Sequence, residues 1–325
     1  MPQTTVVGTY PRIGDSYEEQ GLRRTIARFD KGEATEADVR AAEREVVEAV
    51  LREQQAAGID ILTDGQVSWY DSQSHIARRL SGVEIGGLVR YFDTNTYYRQ
   101  PIVTGPVRWT SPILVDEWRF AQEASRSPVK AVLTGPVTLA SLALDRHYKK
   151  KRALARDLAR ALAEEIAALR AAGVRYVQVD EPILTQRPED LSLVRETFSL
   201  VAAAKGTAEL SLATYFGDVA KIYRELVKLP ADVLGLDLVQ GAKTWSQIAT
   251  HGSDKPLVLG VVDARNTNLE DPKRVAARVR EIRHSVDLER CYLSPSNGLE
   301  FLPRAAAREK LAGLARTAEL VGGNA

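Results

Sequence analysis

Eight short runs of β-branched and aliphatic residues recur along this chain, each giving way to an amphipathic stretch at roughly 30-residue spacing. They fall at residues 4–10, 59–63, 129–133, 176–181, 209–214, 233–237, 257–262 and 291–294. Alternation at that period dictates parallel βα units, because a strand reaches a parallel neighbour only through a crossover of about a dozen residues or more, most often a helix. The amphipathic segments agree. Residues 36–57 carry Ala41, Val46, Val47, Val50 and Leu51 on one stripe and stop at Gly58. Residues 151–172 carry Leu154, Leu158, Leu162, Ile166 and Leu169 and stop at Gly173. Further helices are expected over 18–30, about 190–204 and about 218–228. Eight units in 325 residues predict an α/β protein, a single (β/α)8 TIM barrel domain over 1–325. An open doubly wound sheet is the other solution, but no Gly-x-Gly-x-x-Gly or Walker-type loop supports its nucleotide-binding form. One irregular excursion, about 67–128, follows the second run. It is rich in aromatics and arginine (Trp69, Tyr70, Tyr91, Phe92, Tyr97, Tyr98, Arg99, Trp109, Trp118) and reads as an inserted hairpin covering one mouth of the barrel.

In such a fold the C-terminal ends of the strands form the active-site face. The run 176–182, Tyr-Val-Gln-Val-Asp-Glu-Pro, ends there in two carboxylates. The plain structural reading is that Glu181 pairs with a neighbouring arginine and Asp180 caps the next helix. Against it, other ends repeat the pattern: Gly8-Thr9, Asp64-Gly65-Gln66, Thr134-Gly135-Pro136, Tyr215, Asp237, Asp263 with Arg265, and Asn297-Gly298. Strand ends that only complete a core have no need of so many acids. Carboxylates at 64, 180, 237 and 263 suit a cation, an ammonium group or acid–base chemistry, and Arg12, Arg99 and Arg265 suit a carboxylate or phosphate. Together they suit a zwitterion such as an amino acid.

The formal net charge of +1 gives no attraction for nucleic acid or an anionic membrane. The single cysteine, Cys291, rules out an intramolecular disulfide and fits a reducing compartment. No apolar run reaches the roughly 18 residues that span a bilayer, and the N-terminal residues lack a basic-then-apolar signal, so a cytoplasmic location is expected. With four histidines and one cysteine the chain is poor in soft metal ligands.

Five segments carry a resemblance. Val-Gly-Thr-Tyr-Pro-Arg-Ile-Gly (7–14), Asp-Gly-Gln (64–66), Leu-Thr-Gly-Pro-Val-Thr (133–138), Val-Gln-Val-Asp-Glu-Pro (177–182) and Ser-Pro-Ser-Asn-Gly-Leu-Glu-Phe-Leu-Pro-Arg (294–304) resemble, in order, the cobalamin-independent methionine synthase family. The resemblance implies a (β/α)8 barrel moving a methyl group to the thiol of homocysteine, which the family activates on zinc held by His, Cys, Glu and Cys. Val7, Gly8 and Thr9 stand where the family's Ile-Gly-Ser holds homocysteine, and Asp180 where an Asp binds its amino group. Gln66 replaces a Glu that contacts the amino acid. The zinc positions are changed: His-x-Cys becomes Ala213-Thr214-Tyr215, Glu becomes Asp237, and the last cysteine becomes Asn297. The proposed proton-donor histidine becomes Arg265.

The expected site is therefore Asp180, Asp237 and Arg265 as catalytic residues. Val7, Gly8, Thr9, Arg12, Gln66, Glu181, Tyr215 and Asn297 are expected to bind substrate, with no metal ligands and no cofactor in place of the family's zinc. Segments at 69–71, 91–95, 214–218, 235–239 and 260–266 look like the metal-free N-terminal barrel of the family's two-barrel enzymes. That leaves two expectations. One is a methyltransferase acting on homocysteine or a related acceptor. The other is a non-catalytic barrel that binds an amino-acid or methyl-donor ligand, or docks on a separate catalytic barrel.

Overall fold

The computed structural model describes residues 1–323. Its strands in chain order are β1 (Gln3–Thr4), β2 (Leu80–Arg90), β3 (Tyr97–Trp109), β4 (Ala131–Thr134), β5 (Leu144–Asp145), β6 (Tyr176–Asp180), β7 (Glu209–Thr214), β8 (Val233–Asp237), β9 (Leu257–Val262) and β10 (Tyr292–Pro295). The chain forms two compact units. The first holds Met1–Ser68, Glu117–Val129 and the chain from Leu236 onward; the second holds Trp69–Asp116 and Lys130–Gly235. Both are α/β and both are built on parallel strands.

In the first unit β10 lies between β1 and β9, parallel to each, with Gln3 opposite Tyr292 and Tyr292 opposite Val258. The end of β8 belongs here, and the N–H of Leu238 beyond it donates to Gly260 O at 3.0 Å. The expected strands at 4–10 and 59–63 are much shorter than the sequence suggests: β1 is two residues long, and the second run makes only the isolated bridges Thr5–Ile61 and Leu62–Val129. Side chains take the backbone groups that a ladder would use. Asp60 Oδ2 accepts from Thr4 N at 2.7 Å, while the Gln54 amide accepts from Thr63 N (3.1 Å) and donates to Thr63 O (2.9 Å). The Glu36–Ala56 helix opens with a reciprocal Thr35–Asp38 cap and buries Ala42, Val46, Val47, Val50 and Leu51. Ala41 lies on its exposed side, one residue off the expected stripe.

In the second unit β4, β6 and β7 are parallel neighbours, with Thr134 opposite Asp180 and Asp180 opposite Ala213. The Lys151–Ala171 helix packs Leu154, Leu158, Leu162, Ile166 and Leu169 inward and stops at Gly173, whose φ of +101° belongs to a left-handed helix terminus. The expected helix over 218–228 shrinks to Tyr223–Leu226. The excursion is more regular than expected. β2 and β3 form a long antiparallel hairpin from Leu80 opposite Trp109 to Arg90 opposite Tyr97, and β5 adds a parallel edge at Ile102. Gly82, Gly86 and Gly87 fall in the two register shifts that bend the hairpin. Its base is fixed by Glu165, a fully buried carboxylate that accepts from Trp109 Nε1 (2.7 Å), Ile113 N (2.8 Å) and Leu114 N (2.8 Å).

Among the described residues no helix is long and apolar enough to cross a membrane.

Candidate active site

The first unit gathers most of the strand-end residues read from the sequence. Thr63 Oγ1 donates to Gly8 O at 2.7 Å and fixes the loop after β1. A Cβ built on Gly8 would lie 3.4 Å from the Gln66 side-chain amide, so these two residues are in contact. Gln66 is buried in a left-handed backbone conformation (φ +52°), held by its own N–H donating to Asp64 Oδ1 at 2.9 Å. Non-glycine residues sit in that region at a cost of about 1–3 kcal/mol, and such strain gathers at functional sites. Arg12 donates to Val67 O at 3.3 Å, beside Gln66, and half-buried Val7 precedes Gly8. Thr9 hydrogen-bonds Glu300, and its carbonyl accepts from Leu299 N at 3.0 Å, which brings it against the turn containing Asn297.

Asn297 is fully buried. Its Nδ2 donates to Ser296 Oγ at 3.1 Å, and its Oδ1 has no hydrogen-bond partner among the described residues. An unmatched buried acceptor costs about 1–3 kcal/mol, so Oδ1 is an open position for a donor. Asp237, also buried, accepts from Val239 N (3.0 Å) and Gln240 N (2.9 Å) and so closes the turn after β8. Arg265 is exposed and lies over the Phe301 ring at 5.9 Å; its N–H donates to Asp263 Oδ1 at 2.8 Å. The Asp263 loop is tied down from below by the fully buried Lys310, which pairs with Glu270 at 3.0 Å, while Glu270 accepts from Asp263 N at 2.9 Å.

The second unit carries Asp180, Glu181 and Tyr215. Asp180 Oδ1 accepts from Gln178 Nε2 at 2.7 Å and Oδ2 from the Tyr215 hydroxyl at 3.1 Å. It caps no helix. Burial, together with the Asp180 charge, pushes the Tyr215 phenol well above its ordinary pKa, so it stays a protonated donor. Glu181 pairs with no arginine among the described residues. It is fully buried and accepts from Val137 N (2.9 Å), Thr138 N (2.7 Å) and Thr138 Oγ1 (2.6 Å), the first turn of the Pro136–Leu142 helix. Both of its oxygens are thereby committed to the helix. Burial still outweighs these bonds and lifts its pKa to about 7. Gly135 is required beside it, since a Cβ there would lie 2.3 Å from the Glu181 carboxyl carbon.

Sequence reading missed several groups. Phe92 and Phe216 both have positive φ (50° and 67°) with ring centroids 6.0 Å apart, and with Tyr91 and Tyr215 they build an aromatic wall adjoining Asp180. Nothing in the sequence marks a phenylalanine for that backbone. Gln178 was legible, because at the two-residue period of a strand it shares a face with Asp180. Behind it, Lys130 Nζ donates to Gln178 Oε1 at 2.6 Å. Arg99 is exposed on the hairpin, where its N–H donates to Asp71 Oδ2 at 3.1 Å.

Each unit thus carries buried polar side chains at the carboxyl ends of parallel strands, the face on which α/β enzymes build their sites. A family model, "Cobalamin-independent synthase, Catalytic domain", matches residues 1–320. The methionine synthases of Saccharolobus solfataricus and Sulfolobus acidocaldarius are each 33% identical, over 98% and 95% of this chain and 94% and 88% of their own. The B12-independent methionine synthase of a Shewanella species, solved with selenomethionine, shares the fold at a TM-score of 0.82 with 22% identity, covering 99% of this chain and 98% of that one. The Listeria monocytogenes "Putative Vitamin-B12 Independent Methionine Synthase" gives 0.79 and 20% over the whole of both chains. The chain belongs to the cobalamin-independent methionine synthase family of methyltransferases.

Proposed function

We propose that this protein, read as a single (β/α)8 barrel domain with the β2–β3 hairpin as its insertion, transfers a methyl group to the thiol of homocysteine or a closely related amino-acid acceptor. We further propose that it does so without the family's zinc. The observation that carries the reading is Asp180, buried at the end of β6 with one oxygen toward Gln178 and the other toward Tyr215, at the position where the family binds the amino group. Within the first unit, Gly8 and Thr9 stand where the family holds homocysteine, Gly8 touches Gln66, and Asn297 Oδ1 is open to a donor.

The residues at the zinc positions do not fit the ion. Structural and catalytic zinc sites take three or four thiolate, imidazole or carboxylate ligands. Here position 213 is Ala, Tyr215 is a protonated phenol bonded to Asp180, Asn297 is a neutral amide, and Asp237 spends an oxygen on two backbone N–H groups. Cys291 sits buried just before β10 with its thiol pushed up to about 11, so it stays protonated. In the reaction we propose, the acceptor thiol loses its proton to water, its sulfur forms the bond to the methyl carbon, and the bond from that carbon to the donor breaks with the electron pair going to the donor. Without a metal a thiol of pKa about 8.5 is only a few per cent thiolate at neutral pH, so the Arg265 guanidinium is the group assigned to favour the anion, with Asp237 orienting the acceptor. A cytoplasmic setting accompanies this reading.

A second reading is favoured by one observation. The far end of the hairpin exposes Leu88 (64%), Val89 (37%) and Tyr97 (58%), an apolar surface suited to a separate catalytic barrel. Calorimetric titration of L-homocysteine into the wild type and Asp180→Asn separates the two. The methyltransferase reading expects binding that falls at least about 30-fold in the variant, with the fold unchanged. Wild-type protein that binds no amino acid supports the partner role instead.

A further inference from the structure

We propose that Lys130 is a positioning residue for Asp180. Its ammonium fixes the Gln178 side-chain amide in the one orientation that presents an N–H to the carboxylate, and so holds that carboxylate ready for an ammonium ligand. The groups form a line through the interior of the second unit. Lys130 Nζ meets Gln178 Oε1 at 2.6 Å, Gln178 Nε2 meets Asp180 Oδ1 at 2.7 Å, and Asp180 Oδ2 meets the Tyr215 hydroxyl at 3.1 Å. All four side chains are buried.

The polarity of that line is set at its lysine end. A protonated lysine only donates and a carboxylate only accepts, so the amide between them has one workable orientation. Turning it over would oppose N–H to ammonium and carbonyl oxygen to carboxylate, two repulsions in a buried site. A core filler would satisfy none of this, and a lysine is almost never fully buried unless paired. The charged groups facing Lys130 are Asp180 on β6 and Glu209 at the start of β7; both favour its charged form, while burial opposes it and brings the lysine down to about 8. Tyr215, farther along, stays neutral. When Lys130 loses its proton the amine gains a lone pair, and the constraint on the amide is relaxed.

The first test needs no ligand. In protein labelled with nitrogen-15 at glutamine side chains, the Gln178 amide resonance is identified by its loss in Gln178→Leu. In the wild type we expect it to move as pH rises, with a midpoint near 8, the lysine's own value. In Lys130→Met it should stay still over the same range. In Lys130→Arg it should keep the low-pH position throughout, because a guanidinium does not titrate there. A wild-type resonance that does not move, or one that titrates identically in Lys130→Met, overturns the proposal. Should Lys130→Met not fold, the wild type and Lys130→Arg carry the same test.

A second arm, which rests on the amino-acid site proposed above, measures L-methionine affinity. It should fall about tenfold or more in Lys130→Met and recover in Lys130→Arg. Unchanged affinity in Lys130→Met overturns the proposal. If the amide titrates as expected but the wild type binds no methionine, the amino-acid reading fails and the positioning of Asp180 stands.

Discussion

Adjacent carboxylates in one motif have been given opposite work. Asp180 faces side-chain donors, Gln178 and Tyr215, and Glu181 faces the N-terminus of a helix. The difference shows in their titration. Because burial raises the folded pKa of Glu181 to about 7 from the ordinary 4.5, the folded state holds a proton that the unfolded state has lost between those values. Stability from this group is therefore full below 4.5 and is lost as pH rises through about 7. Denaturant unfolding at a series of pH values should show that decline in the wild type. It should be absent in Glu181→Gln, whose amide does not ionise; an identical slope in both proteins would assign the effect elsewhere. Asp180 was legible in the sequence as a ligand group, because an acid ending a β-branched run has few structural uses. The cap formed by Glu181 was not. Its helix begins at Pro136, over forty residues earlier, and only the parallel pairing of β4 with β6 brings the two together.

At the scale of elements, the central strands were legible and the edges were not. β7, β8 and β9 have the expected bounds, each a short run with buried aliphatic residues between clear breaks. The runs at 4–10 and 59–63 looked just as strong, yet their backbone is taken by Asp60 and Gln54, polar side chains whose partners are set by tertiary packing. The excursion was expected as an irregular inserted hairpin; the structure keeps the hairpin and makes it regular, with Gly82, Gly86 and Gly87 at its bulges. One glycine is open to a direct test. Gly135 joins β4 to the Pro136–Leu142 helix, and a methyl group there would fall 2.3 Å from the Glu181 carboxyl carbon. Both residues are buried, so neither can yield without repacking. Gly135→Ala should destabilise the protein by about 1–3 kcal/mol in chemical denaturation. An unchanged midpoint would show that Glu181 has room to move and is not a fixed cap.

At the scale of the whole molecule, the family match runs from residue 1 to 320, and the proposal departs from the family in one respect, a reaction without zinc, with Ala213, Tyr215 and Asn297 read at the soft-ligand positions. The family was legible because its strand-end motifs are contiguous. The aromatic wall and the Lys130–Gln178 line were not, because each joins residues far apart in the sequence. The deciding property of the protein is whether it binds an amino-acid thiol without metal. The direct measurement is calorimetric titration of L-homocysteine into protein stripped with a chelator, then repeated after one equivalent of Zn²⁺. We predict saturable binding of the same affinity in both titrations, with no zinc retained after dialysis. Binding that appears only with stoichiometric, retained zinc would contradict the account and return the protein to metal-activated chemistry.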